Sequence, residues 1–221
     1  MSIEGPCSSE IHSLPEISMV GGAAGSSVLV KRVNPEDAPA QFPTDLLSNP
    51  PGVHANWQGS ECKWWLAHTL PRQEKKVAAA LLPRQVPYYL PLVTRKTLTP
   101  RRRTRIGRIP LFPGYVFVYG ADEHRMQTLK TNRVLAVHHV RDGETLRLDL
   151  LKFAELIALG APLVPESRLV AGDRVRVKAG PFRDQEGIVI RRNGKTRLLI
   201  AVNYLQRGAS LEIDDCLLEY L

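Results

Sequence analysis

Cysteine is scarce in this 221-residue chain: Cys7, Cys62 and Cys216 are far apart and odd in number, which excludes a disulfide framework and a paired-cysteine metal knuckle. Reduced thiols are the expectation. No apolar run approaches the roughly 20 residues needed to cross a bilayer, and no basic segment with an apolar signal core opens the chain. The expectations are therefore a cytoplasmic protein with no membrane partner. Acidic residues are in deficit, 22 against 30 lysines and arginines, so the formal net charge is +8. A cationic field of that size favours polyanionic surroundings, because it speeds encounter with phosphates and gains from counterion release.

Catalytic constellations are missing as well. His68, His124 and the His138-His139 pair stand without a nucleophile elbow, an HExxH helix or a Walker phosphate loop. Gly180-Pro181-Phe182-Arg183-Asp184 lacks the Lys-Ser/Thr ending of a phosphate cradle. A non-enzyme with no cofactor and no metal is expected.

Residues 1–61 are rich in Gly, Ser and Pro, with Gly21-Gly22-Ala23-Ala24-Gly25-Ser26-Ser27 at their centre and no sustained periodicity. Such a stretch buries too little apolar surface to offset chain entropy and is expected to be a disordered tail. Order is expected from residue 62 to 160. Trp64–His68 has the character of a buried strand, and Pro71 opens a helix with Val77, Ala80 and Leu81 on one face. Tyr88–Val93 and Tyr115–Tyr119 suggest two more strands, Asp122 a capped helix carrying Met126 and Leu129, and Val134–Val140 a fourth strand. A last helix is expected over Asp149–Leu159, before Gly160 and Pro162. This order describes an α+β protein whose N-terminal domain is an α/β sandwich.

Residues 161–170 suggest a linker, and 171–221 contain strands alone. Val175 and Val177 alternate with basic residues, and Asn193-Gly194 marks a tight hairpin before Leu198–Val202. A small SH3-like, five-stranded closed barrel accommodates this spacing.

Gly172–Phe182 followed by Gly187-Ile188-Val189 resembles a KOW motif. Lys63-Trp64-Trp65-Leu66 before Glu74-Lys75-Lys76-Val77, together with Pro110–Val118, resembles the two signatures of the NusG N-terminal domain. In this order the segments identify the chain as resembling the NusG family of transcription elongation, termination and antitermination factors over about residues 64–221. The resemblance implies an RNA polymerase-binding factor that docks on the clamp helices of the largest subunit and suppresses pausing, with Trp65, Phe112 and Tyr115 as the docking aromatics. Trp64 is expected in the core. It further implies that Arg101, Arg102, Arg103 and Arg105, in a long basic hairpin loop that also carries Arg95, Lys96 and Arg108, lie near upstream or non-template DNA and contact its backbone. Lys75 and Lys76 are expected near phosphate too. The residue positions that read DNA bases in the specialised RfaH branch are occupied here by Leu70, Ala80 and Pro83, so that activity does not carry over. The barrel is implied to recruit either the helicase Rho or a small-subunit ribosomal protein through Tyr204 and Leu205, where the family usually has phenylalanine at the second position. The alternative, from a different class, is a ribosome-associated RNA-binding KOW protein using Arg174, Arg176, Lys178, Arg191 and Arg192.

Overall fold

A computed structural model describes residues 33–48, 62–98, 104–166, 172–192, 194–214 and 217–221. The expected α+β architecture is present. Five strands form one sheet in the order β1 (Gln41–Phe42), β3 (Tyr88–Tyr89), β6 (Tyr115–Gly120), β2 (Lys63–Thr69) and β7 (Val134–His139). Strand pleating sends successive side chains to opposite faces, so the apolar run of β2 feeds two cores at once. Trp64 and Leu66 join Phe117 and Tyr89 on one face, while Trp65 and Ala67 join Val116, Val118 and Tyr88 on the other.

Helix α1 (Glu74–Leu81) covers the second face with Val77, Ala78 and Leu81, and α2 (Asp122–Leu129) packs beside it against β6 and β7. Of the apolar α2 residues, Met126 is exposed; the fully buried α2 side chain is Thr128, whose hydroxyl donates to the His124 carbonyl. The third helix, α3 (Gly143–Ala158), starts earlier than expected because Asp142, not Asp149, caps it: the Asp142 carboxylate accepts from the Thr145 N–H at 3.0 Å. Its buried stripe is Leu146, Asp149, Leu150, Phe153 and Leu156 on the Trp64 face.

The expectation of disorder over residues 1–61 needs correction for residues 33–48. Ala38 and Phe42 pack on the α1 face, β1 pairs with β3, and Leu46 and Leu47 are buried on the α3 face, so this strap crosses the sheet edge from one core to the other. Tyr88 donates its hydroxyl to the Pro39 carbonyl at 2.9 Å, and Arg147 of α3 donates to the Leu47 carbonyl at 2.6 Å. Two buried leucines stabilise folding by about 1.5–3 kcal/mol each, and together with Ala38, the β1–β3 pairing and the hydrogen bonds from Tyr88 and Arg147 they hold a segment of otherwise loop-like composition. The remainder of the tail lies outside the described residues.

The basic loop expected before Phe112 is instead a separate two-stranded ribbon of β4 (Leu92–Leu98) and β5 (Thr104–Pro110). Part of the expected linker is also strand: β8 (Val164–Glu166) pairs with β12 (Arg207–Glu212). The C-terminal sheet runs β13 (Leu218–Tyr220), β9 (Arg174–Val177), β10 (Glu186–Arg192), β11 (Lys195–Val202), β12, β8. Its five KOW-region strands form the expected small, strand-rich unit, but among the described residues β13 and β12 are not hydrogen-bonded to each other, so the sheet is open where a closed barrel was expected.

Candidate protein-docking site

The segment Phe112-Pro113-Gly114-Tyr115 links the ribbon to β6 and is held from several directions. The Tyr115 N–H donates to the Phe112 carbonyl at 3.2 Å, and Gly114 sits at φ +87°, where a residue with a Cβ would be strained. The Gly114 carbonyl accepts from the Thr69 N–H at 2.8 Å, and the Gly114 N–H donates to Glu74 Oε1 at 2.7 Å. Phe112 points into the α3-face core, 2% exposed, with its ring edge-on to Phe117 and Phe153 at 6.2 and 5.2 Å between centroids. Tyr115 stays half-buried, stacked on His68 at 5.2 Å and 19°.

The C-terminal sheet reaches the same place. Arg207 sets its guanidinium 4.9 Å from the Tyr115 ring centroid, a cation–π contact, and lies 3.5 Å from the Pro113 carbonyl. Nearby, Asp149 of α3 accepts from the Asn203 N–H at 3.1 Å and from its Nδ2 at 3.2 Å, and the Tyr204 hydroxyl donates to the His139 carbonyl at 3.1 Å. Leu205 packs against the same core as Phe112. The 3₁₀ turn Asn203–Leu205 therefore faces the N-terminal domain.

Two family models match separate parts of this chain in consecutive order: one described as transcription termination factor nusG over residues 62–147, and the KOW motif over residues 171–201. The chain carries a NusG-type domain followed by a KOW motif. Among solved structures, an MjSpt4:Spt5 complex in conformation B is similar at 17% identity, covering 72% of this chain and 96% of that chain. The TM-score of 0.22 is too low for that likeness to carry an argument. No curated protein matches.

Within the NusG-type domain, the three aromatics expected to dock do not form one exposed patch. Trp65 is 7% exposed and lies on the α1 face, opposite Phe112, because its place in β2 alternates with Trp64. Its indole N–H donates to the Gly120 carbonyl at 2.8 Å and its ring meets His139 edge-on. Trp64 is core, as expected. Tyr115 alone of the three keeps substantial solvent contact.

Lys75, expected near phosphate, is bound instead to the Glu36 carboxylate of the strap at 2.5 Å, whereas Lys76 is exposed. On the ribbon, Arg95, Lys96 and Arg108 are exposed, with Thr94 opposite Arg108 and Lys96 opposite Ile106 on one face, and Arg95 opposite Gly107 on the other. Arg105 lies on β5 opposite Thr97, and Arg101, Arg102 and Arg103 lie outside the described residues. Among the described residues no group of three His, Cys, Asp or Glu is placed to hold a metal ion, and no helix is long and apolar enough to cross a membrane. Sequence reading did not mark Glu74, His68, Arg207 or Asp149 as site residues. The partners of each are distant in sequence, and no local pattern announces them.

Proposed function

We propose that this chain binds RNA polymerase and acts during elongation, docking its NusG-type domain on the paired clamp helices of the largest subunit through the Phe112–Tyr115 turn. The observation that carries the reading is the order of the two family matches on one chain, with a rigidly held aromatic turn inside the first. Tyr115 offers a flat, partly apolar ring on a fixed backbone, the kind of side chain on which helical partners concentrate binding energy. Phe112 anchors the other end of the turn in the core, against Phe117 and Phe153. Docking exchanges the Arg207 contact for the partner, so polymerase and the KOW sheet compete for one face of the domain. The result is suppressed pausing by a population shift among polymerase conformations, without bond chemistry, limited by the difference in affinity for them.

The exposed Arg95, Lys96 and Arg108 of the ribbon, with Lys76, supply backbone attraction to upstream or non-template DNA; no aromatic residue lies between Leu92 and Pro110 to stack bases. Tyr204 and Leu205, engaged with the N-terminal domain in this arrangement, become available to Rho or a ribosomal protein on release.

Retention of the full chain on an immobilised clamp-helix fragment tests the reading. Tyr115→Ala, with its melting temperature measured in parallel, is expected to reduce retention on the order of tenfold, the effect of losing one interface anchor. Equal retention of both proteins removes the docking surface. The ribosomal RNA-binding alternative is favoured by the exposed Arg174, Lys178 and Arg191 of the KOW sheet, and co-sedimentation with ribosomes in place of polymerase is its signature.

A further inference from the structure

Glu74 is a buried acidic side chain, 5% exposed, on the first turn of α1. An acidic residue there ordinarily stays in solvent and complements the helix dipole. Here Oε1 reaches across to the ribbon–β6 connection and accepts from the Gly114 N–H at 2.7 Å. The other side of the same residue is held too, since the Gly114 carbonyl accepts from Thr69 of β2. Gly114 is thus pinned between α1 and β2 at φ +87°, with the His68 ring against its open side and Tyr115 next in the chain. Rotation of the Gly114 peptide moves Tyr115 off His68 and changes the angle at which its ring meets a partner.

We infer that Glu74 is the positioning residue of the Phe112–Tyr115 turn: its carboxylate oxygen, through the Gly114 N–H, sets the backbone that aims Tyr115. The use of the turn in docking rests on the polymerase-binding reading above. The positioning itself does not.

Two mild variants of the full chain separate reach from charge. Glu74→Asp keeps the charge but is one methylene too short to bond Gly114, whereas Glu74→Gln keeps the reach and an acceptor oxygen without the charge. Amide hydrogen exchange at Gly114 is read by NMR, beside exchange at Val116 and Phe117 as controls for the intact sheet. Glu74→Asp is expected to accelerate Gly114 exchange by about tenfold, the loss of one hydrogen bond of ordinary strength, and to weaken clamp-helix retention several-fold. Glu74→Gln is expected to match the wild type in both. Gly114 exchange unchanged in Glu74→Asp, or raised in Glu74→Gln and not in Glu74→Asp, overturns the inference. So does wild-type retention by Glu74→Asp when Tyr115→Ala loses it. If Tyr115→Ala also binds as wild type while Gly114 exchange follows the expected order, Glu74 remains the turn's positioning residue and it is the docking reading that fails.

Discussion

Gly187 shows how closely single residues are constrained in the KOW sheet. A Cβ built there stands 2.5 Å from the Leu199 carbonyl and 2.9 Å from a Leu198 methyl, on the neighbouring strand β11. Backbone on that side is held by the β10–β11 ladder and has no room to yield. Gly187→Ala is expected to destabilise the C-terminal domain by about 1–3 kcal/mol, the range for overpacking a close strand contact, and urea denaturation followed in that domain measures it. A change below about 0.5 kcal/mol would mean the ladder opens at little cost. This glycine was legible in the sequence as part of the KOW segment, Gly187-Ile188-Val189. The burial of Phe112 was not. Its residue type suits a core and a docking patch equally, and the deciding neighbour, Phe153, comes from α3.

Helix α2 depends on a histidine for its first turn. The N-cap position is Ala121, which has no side chain to accept, and His124 bends back so that its Nδ1 accepts from the Ala121 N–H at 3.1 Å. That bond requires a ring nitrogen free of a proton. Burial, outweighing the attraction of Glu123, lowers the His124 pKa from its ordinary 6.5. With the folded-state value depressed, the neutral ring's contribution is fully present above pH 6.5 and is lost as the pH falls from there through the folded-state value. Thermal denaturation between pH 7 and pH 5 is expected to show this loss. His124→Gln, which offers a non-titrating acceptor at the third helical position, is expected to flatten that limb; an unchanged slope would place the dependence on other histidines. Other element boundaries were misjudged for related reasons. Apolar spacing located α3, but a cap seven residues earlier started it, and Asp149, taken as the beginning, is an interior residue bonded to Asn203. The basic segment before Phe112 has no apolar alternation to announce strands, and cross-strand pairing alone made it a ribbon.

At the scale of the whole molecule, residues 33–48 join the two faces of the N-terminal sheet, and α3 joins that sheet to the KOW sheet. Deleting residues 1–48 is expected to lower the stability of the N-terminal domain by about 3 kcal/mol or more, from the exposure of the core that Leu46 and Leu47 cover. Guanidinium denaturation of the truncated chain measures it, and an unchanged midpoint would show the strap to be dispensable. The amino-acid sequence by itself determined the NusG-type and KOW segments, their order, the strand-rich character of residues 171–221 and the basic character of the segment before Phe112. Each of these follows from local pattern: alternation, turn residues and motif spacing act over a few positions at a time. The tertiary structure alone decided that Trp65 faces away from Phe112, that the strap is ordered, that Lys75 pairs with Glu36, and that Arg207 covers Tyr115. Those outcomes depend on which distant groups meet, and burial and hydrogen bonding between segments far apart in the chain leave no periodic trace in either segment.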